Sequence, residues 1–543
     1  MKARHIFLGA AMLACAASAS AQNLNQQVQV TNDYMSDMSG VAKPATAFSV
    51  PDTLLKFDYN FDYSVFDNPY KGAYEFSPYS VRVTPEASVY DGTTLYVRAG
   101  AGYTLHPELY AVWSPVRNGR ARVSLYQDGY GYAGRYRNLD ATLQAVQGSF
   151  FKGYDFREKA GARGAFLFPS SELSWDVHYM GRYNSNSLNT GFYHSATAGL
   201  RIKSLNAARN AFNYDVSIKG TYGQDNFVHM IDNLRVPGMN LAFDASFGPV
   251  RRRVFSLAFD VRAGYQRYPA EDKAVWNAGV TPKFIFRHGI FDISAGAALD
   301  MAGALGIHPD VSVSADIVKG RVKLSGGLKG GLYRSSYSDL KENVPFYYPV
   351  YSGDYTTVTD EKFNAWAGLS GELLPQLSYS LKGGYASYDD APLMRVRNAG
   401  GYLWSGVTYV DYAMAYADLF LGYKNPRVEA DADFRFRRTN LTQYTYMVDL
   451  PMFSGDFRFV YNFMERIYFG VSLSFETPRL CAYEDKAFNT PFWVSPGISA
   501  EYKLDSRWSV WLRGDNLAGM AAREIPTMVE QGVNFTAGIC LSL

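Results

Sequence analysis

The sequence has few cysteines and, after its first residues, no long apolar run. Only three of its 543 residues are cysteine. Cys15 lies in a segment that we expect to be removed, and the remaining Cys481 and Cys540 are too few for a disulfide framework. We expect both to be unpaired residues on strands, although a bond between them also satisfies the count. No stretch after residue 21 is long and apolar enough to cross a bilayer as a helix.

Charge imbalance and catalytic motifs are also missing. The chain carries 53 basic and 51 acidic side chains, so its net charge does not indicate a nucleic-acid partner. It contains no glycine-rich phosphate loop, no cysteine pair at metal-ligand spacing and no G-x-S-x-G turn. Its histidines are scattered, without a pair at ligand spacing. We therefore expect no cofactor and no bound metal, and we do not expect an enzyme.

The first residues have the pattern of a secretory signal peptide. A positively charged start precedes an apolar run over residues 6–17, and Ala19-Ser20-Ala21 supplies a small-residue cleavage site. We interpret residues 1–21 as a signal for export through the Sec pathway and expect the mature chain to begin near Gln22. Cys15 leaves an alternative open, a degenerate lipoprotein box over residues 12–15.

Most of the remaining sequence repeats one period-two pattern and is rich in aromatic residues and glycine. It contains 42 tyrosines, 35 phenylalanines and 48 glycines. Apolar and polar residues alternate over segments such as 173–180, 257–265 and 428–437. This alternation is typical of a strand with one apolar face, and about ten residues suffice for a tilted strand to cross a bilayer. We count about 22 such segments after residue 93.

The connections between these segments are alternately short and long. Short turns are predicted at 116–120, 169–172, 204–210, 249–252, 287–290, 319–321, 373–376, 424–427, 464–466 and 504–507. Longer loops are predicted at 129–158, 226–236, 335–362, 389–403, 439–450, 478–492 and 516–531, the first only if residues 140–150 are not a strand. Outer-membrane barrels have short periplasmic turns and longer outer loops. Residues 94–543 are therefore predicted to form an all-β transmembrane antiparallel β-barrel of about 22 strands.

Residues 22–93 differ in composition from the barrel segments. They contain five prolines, which disfavour regular strand ladders and long helices: Pro44, Pro51, Pro69, Pro78 and Pro85. Their aromatic content opposes free disorder. We expect an extended segment that packs on the lumen wall, on the periplasmic rim or on a partner protein.

The charged positions on the strands predict which face points into the barrel. The core of a bilayer does not solvate charge, so these side chains should face the lumen. The predicted column comprises Glu429, Asp431, Asp433, Arg435 and Arg437, with Asp260 and Arg262 as part of a second column. In one interpretation, opposite charges on neighbouring strands brace the wall. In the other, the charges contact a permeating solute or bound ligand.

The chain ends on an alternating strand preceded by a characteristic hairpin. One face of the last strand carries Val533, Phe535, Ile539, Leu541 and Leu543, and Asn516-Leu517 follows the strand before it. This hairpin, residues 508–519 and 532–543, resembles the last hairpin of TonB-dependent receptors. The resemblance implies a 22-stranded barrel in a Gram-negative outer membrane and a final strand that is read by the barrel-assembly machinery. Leu543 stands where that family usually has an aromatic residue.

The resemblance does not extend ahead of the barrel. TonB-dependent receptors carry a folded plug domain and a TonB box there, and residues 22–93 are too few and too rich in proline for that plug. We therefore expect a barrel-only form, similar to relatives in Bacteroidota. Residues 28–33 are only a weak match to a TonB box, so dependence on TonB stays open.

Two functions fit these observations. The first is a transporter or channel for a small solute or nutrient. The alternative is a structural or assembly subunit of an outer-membrane complex that docks periplasmic or surface partners. An open barrel of this size would breach the permeability barrier. Both functions therefore require residues 22–93, inward loops such as 129–158 and 335–362, or a partner in the lumen.

Overall fold

The computed structural model of the chain contains a closed antiparallel barrel, which confirms the predicted fold class. It describes residues 94–543 apart from 104, 117–118, 140–144, 186–188, 206–211, 230–231, 253–254, 268–273, 335, 344–357, 400–401, 442–446, 484–485 and 521–531. The predicted signal peptide (1–21) and extended segment (22–93) lie outside the described residues.

Of the 25 strands in the described part of the chain, 22 form the barrel wall. They are β1 (Leu95–Gly102), β2 (His106–Val116), β3 (Ala121–Leu139), β4 (Ala145–Leu167), β5 (Ser171–Ser185), β6 (Asn189–Ser204), β7 (Asn213–His229), β8 (Asp232–Arg252), β9 (Phe255–Arg267), β10 (Val275–His288), β11 (Phe291–Ala302), β12 (Ala304–Val318), β13 (Val322–Arg334), β14 (Val358–Leu374), β15 (Leu377–Ala399), β16 (Tyr402–Lys424), β17 (Val428–Thr439), β19 (Phe453–Phe463), β20 (Ile467–Glu476), β23 (Trp493–Lys503), β24 (Trp508–Asp515) and β25 (Asn534–Ser542). The remaining elements lie in the long connections: β18 (Met447–Val448), β21 (Leu480–Tyr483), β22 (Lys486–Asn489) and the helix α1 (Tyr337–Asn343).

The wall closes where the last strand meets the first. β25 pairs with β1 from Tyr96↔Ser542 to Gly102↔Thr536 and with β24 on its other side. Each of the 22 wall strands therefore has two neighbours, and none of these 22 presents an unpaired edge. An even number of strands brings both ends of the barrel to the same rim.

The short turns lie at that rim. The turn between β23 and β24 is ordered by Asp505, whose carboxylate accepts the backbone N–H groups of Arg507 and Trp508 at 2.7 Å each. These two bonds lower the pKa of Asp505. One predicted turn, 249–252, is misplaced. Although proline donates no ladder bond, β8 continues past Pro249 to Arg252 through a register shift between Phe247 and Val250.

Several predicted long loops are extended hairpins instead. β15 and β16 have 23 residues each, and only residues 400–401 separate them, so most of the predicted loop 389–403 is strand. The hairpins β3–β4 and β7–β8 likewise occupy most of 129–158 and 226–236. A strand of 23 residues is about 76 Å long at roughly 3.3 Å per residue, far more than a bilayer requires. The polar and aromatic residues that suggested loops are compatible with strands that continue past the membrane.

The two faces of the wall differ in polarity. On β6, Leu200 and Ile202 are exposed on the outer face, and the alternate residues Arg201 and Lys203 face inward. Similar outward apolar residues recur around the barrel, among them Val177, Ile218, Phe259, Phe284, Leu299, Leu324, Leu381, Phe434, Phe457, Phe469 and Leu512. This apolar outer face is the one that a lipid bilayer requires. No helix in the described ranges is long and apolar enough to cross a membrane.

The predicted residues of the final strand belong to this outer face. Val533, Phe535, Ile539 and Leu543 are each about half exposed, and Leu541 is half-buried on the same side. The opposite face of β25 carries Cys540, a buried thiol that accepts a hydrogen bond from the Tyr96 hydroxyl at 3.8 Å. Neither Cys540 nor the buried Cys481 forms a disulfide. That Leu543 and its neighbours are an assembly signal stays a prediction.

Two glycines make room for a tryptophan at the closing seam. The Trp511 ring on β24 packs across Gly538 of β25 and Gly100 of β1, and a Cβ atom on Gly538 would lie 2.6 Å from that ring. The Arg98 guanidinium stacks 4.0 Å from the centre of the same ring. Trp511 is 4% exposed, so it has little space to move away.

We therefore predict that Gly538→Ala destabilises the closed barrel. The added methyl group overpacks the seam, and we expect a loss of about 1–3 kcal/mol. The measurement is the temperature at which the detergent-solubilised barrel loses its compact electrophoretic mobility. Gly532→Ala is the control, because a Cβ there meets no atom within 4 Å. Equal melting of both variants would contradict the seam argument.

Candidate functional site

The inner wall of the barrel is the candidate site because it concentrates the charged side chains. In the register of neighbouring strands, Asp431 on β17 lies opposite Gly422 of β16 and Arg458 of β19. Cross-strand partners lie on the same face of a sheet. One continuous inner face can therefore be followed from strand to strand around the barrel.

Most of the predicted β17 column pairs with the two neighbouring strands. Arg458 on β19 contacts Glu429 at 2.5 Å and Asp431 at 2.6 Å. The other ion pairs are Arg435–Asp456 at 3.6 Å and Arg437–Asp418 at 2.6 Å, and Asp433 lies opposite Asp456 in the register. This geometry favours the interpretation in which the column braces the wall.

Asp260 and Arg262 on β9 also have partners within the barrel. The Lys283 ammonium on β10 contacts Asp260 at 2.6 Å and Asp310 of β12 at 2.9 Å. Arg262 lies directly opposite Asp244 of β8 in the strand register. The Arg334 guanidinium on β13 donates to Asn240 on β8 at 2.6 Å, so side chains of strands that are not neighbours also meet inside the barrel.

The strands β11–β14 contain a buried polar network that the sequence did not reveal. His308 on β12 lies between two carboxylates, Asp300 at 3.0 Å from Nδ1 and Asp360 at 2.9 Å from Nε2. Tyr333 donates to Glu361 at 3.0 Å. Glu361 also accepts from Asn364 at 3.1 Å. Alternation indicated that these residues share a face, but it carries no information on which strands approach each other.

The network does not resemble a metal site. In the ranges that the structure describes, no group of three or more His, Cys, Asp or Glu side chains is arranged to hold a metal ion. The polar atoms of the network bond to one another instead, which is how buried polar groups are normally satisfied.

The helix α1, within the predicted loop 335–362, packs against the inner wall. Asp225 on β7 accepts the Tyr337 hydroxyl at 2.6 Å and contacts the Lys341 ammonium at 2.7 Å. The backbone N–H of Tyr337 donates to Gln266 on β9 at 3.3 Å. Lys341 is 1% exposed, and this burial lowers the pKa of its ammonium, whereas Asp225 opposes the shift. A segment of a long connection therefore lies against the lumen side of β7 and β9.

Asn516 and Leu517, the two residues that carry the family resemblance, fix the conformation of the chain directly after β24. Asn516 adopts a left-handed conformation with φ of 47°, and its amide donates to the Met520 carbonyl at 2.7 Å. The backbone N–H of Leu517 donates to the Pro496 carbonyl at 2.9 Å. Both residues therefore determine the path of the chain where it leaves β24.

Comparison with known proteins gives matches in structure but not in sequence. No protein-family model matches the chain, and no characterised protein matches it in sequence. The siderophore receptor PirA from Acinetobacter baumannii matches with a TM-score of 0.61 at 10% identity, over 83% of this chain and 80% of that one. The FrpB iron transporter from Neisseria meningitidis matches with 0.61 at 8% identity, over 83% and 82%. The ferric enterobactin receptor PfeA from Pseudomonas aeruginosa matches with 0.59 at 10% identity, over 83% and 80%. At these identities the likeness shows a shared barrel fold.

We predict that Lys341→Met releases α1 from the wall. Removing one partner of a buried ion pair typically costs about 3–5 kcal/mol, because it leaves the other charge unpaired. Chymotrypsin cleavage after Tyr337 should then accelerate at least about tenfold. The double variant Lys341→Met/Asp225→Asn should restore resistance, because no unpaired charge remains and the asparagine carbonyl can still accept the Tyr337 hydroxyl.

The control for this prediction is Lys362→Met. Lys362 also pairs with an aspartate, Asp389 at 2.7 Å, but its side chain is 51% exposed. Exposed ion pairs contribute little to stability, so cleavage after Tyr337 should stay at the wild-type rate. Unchanged cleavage in Lys341→Met would show that the buried pair does not hold the helix.

Proposed function

We propose that this chain is an outer-membrane protein that passes a small solute or nutrient through the lumen of its barrel. The observation that supports this proposal most directly is a closed 22-strand wall with an apolar outer face and a charged inner face. Such a wall is stable in a bilayer and offers a polar path across it. We infer from the predicted export signal and the barrel that the membrane is the outer membrane of a Gram-negative cell.

The structural matches support a transport role. Their names describe a siderophore receptor, an iron transporter, a ferric enterobactin receptor and a copper transporter, the last at 12% identity with a TM-score of 0.59. None of these names describes an enzyme. The likeness supports the proposal at the level of nutrient transport, and the solute is not named by it.

The proposal includes a filled lumen and several partners. Barrels of this size are plugged in known transporters, and α1 supplies only seven residues. We propose that the remaining filling comes from residues 22–93 and that the chain is a barrel-only relative of TonB-dependent receptors. The lipid bilayer and the barrel-assembly machinery are the partners that such a chain requires. TonB and a periplasmic or surface protein remain open as partners.

We predict that deletion of residues 22–93 converts a quiet barrel into a large, steady pore. The measurement is single-channel conductance in a planar bilayer, with the full-length chain as reference. A variant in which a glycine–serine linker of equal length replaces residues 22–93 is the control for length. We expect it to conduct like the deletion, because the linker lacks the aromatic residues that would pack in the lumen.

A different result would favour the alternative function. If every form stays silent and a periplasmic or surface protein co-purifies only with the full-length chain, residues 22–93 act as a docking arm. The protein would then be a structural or assembly subunit of an outer-membrane complex, and the transport proposal would fail.

A further inference from the structure

A recess of about 650 Å³ opens on the inner wall between β3 and β8. Small residues on the inner faces of these strands create it, namely Ser124, Ala165, Ser174, Gly199, Ser217 and Ala242. At Gly199, an added Cβ atom would meet nothing closer than 3.9 Å. Few large side chains cover the inner wall here. On β11–β14, by contrast, the polar network around His308 covers it.

Three cationic side chains point into this recess without a carboxylate partner. They are Arg122 on β3, Arg163 on β4 and Lys219 on β7. In the part of the chain that the structure describes, none of the three forms an ion pair. The Arg163 guanidinium lies 5.6 Å from the centre of the Tyr126 ring instead. Arg201 also lines the recess, but it is paired with Asp215.

Two carboxylates, Asp176 and Asp244, also line the recess. Asp176 accepts the Tyr126 hydroxyl at 2.9 Å and contacts His178 at 2.5 Å. Asp244 on β8 lies directly opposite Arg262 on β9 in the strand register. Asp176 is the register partner of Arg163, but within the described ranges neither carboxylate forms an ion pair with Arg122, Arg163 or Lys219. Together with Arg201, the recess therefore has four cationic side chains and two carboxylates. On β17, by contrast, Glu429, Asp431, Arg435 and Arg437 all have opposite charges within 4 Å.

We propose that this recess binds a small solute with two or more negative charges on phosphate or carboxylate groups. Guanidinium groups bind such groups through paired, charge-assisted hydrogen bonds, and an ammonium adds a further donor. The walls of a recess reduce screening by bulk water, which strengthens this attraction. The inference rests on the proposed transport function and names its substrate class.

The test uses the full-length protein in detergent, titrated calorimetrically with inorganic pyrophosphate. Wild-type protein should bind the probe, and its affinity should fall as the salt concentration rises. The triple variant Arg122→Gln/Arg163→Gln/Lys219→Gln should bind at least about a hundredfold more weakly, because each cation contributes charge-assisted hydrogen bonds. Lys152→Gln is the matched control, since Lys152 lies on β4 outside the recess and should not affect binding.

A second variant keeps the inference falsifiable if the triple variant folds poorly. Ser217→Trp fills the recess without changing its charge, so it should also abolish binding. Barrel folding of each variant is checked by its compact electrophoretic mobility. Absence of binding to wild-type protein, or equal binding to wild-type protein and to a folded recess variant, would overturn the inference.

Conductance measurements separate this inference from the proposed function. If wild-type protein conducts after deletion of residues 22–93 but full-length protein does not bind pyrophosphate, the recess inference fails and transport stands. If the recess variants lose binding but no form conducts, the anion site stands and transport fails.

Discussion

The backbone ladder between β1 and β25 is the interaction on which the rest of the structure depends. In a bilayer no water can satisfy an open strand edge, so the sheet is stable there only as a closed ring. Closure brings residues from opposite ends of the chain together, as in the pair Tyr96↔Ser542. The seam is tightly packed, because Gly100 and Gly538 leave the space that the Trp511 ring occupies.

Closure of the barrel also determines which charged side chains lie on the inner wall. Once the outer face must be apolar, every charged residue on a membrane-spanning stretch turns inward, where it needs a partner or water. The structure provides both environments. Around β9–β19, side chains such as Lys283 and Arg458 each bridge two carboxylates. Along β3–β8, small residues leave a recess into which Arg122, Arg163 and Lys219 project.

This division gives the interior two different parts. The braced part is a poor candidate for solute contact, because its charges already neutralise one another and desolvating them again is costly. The part on β3–β8 contains the recess, which has room for a solute and more cationic than acidic side chains. The helix α1 lies on the wall beside it, held by the Lys341–Asp225 pair. A solute path through this barrel would therefore be asymmetric, with recognition on one side and support on the other.

The sequence by itself determined the wall: its strand number, its alternation of faces, most of its short turns and the strand that closes it. These features follow from local rules, because alternation and turn chemistry are expressed within about ten neighbouring residues. It also placed Glu429–Arg437 on a single face. The sequence does not indicate where the hairpins end, because polar residues such as those in 389–403 are equally compatible with loops and with exposed strands.

Only the tertiary structure decided which inner-face residues meet. His308 meets Asp300 on the neighbouring strand and reaches Asp360 of β14 across Gly330 of β13, where a Cβ atom would lie 3.1 Å from the His308 Cβ. The helix α1 reaches Asp225 across more than a hundred residues of sequence. The same holds for the recess, whose lining comes from six strands. A period-two pattern specifies a face but not the curvature of the sheet, and curvature determines which distant side chains come into contact.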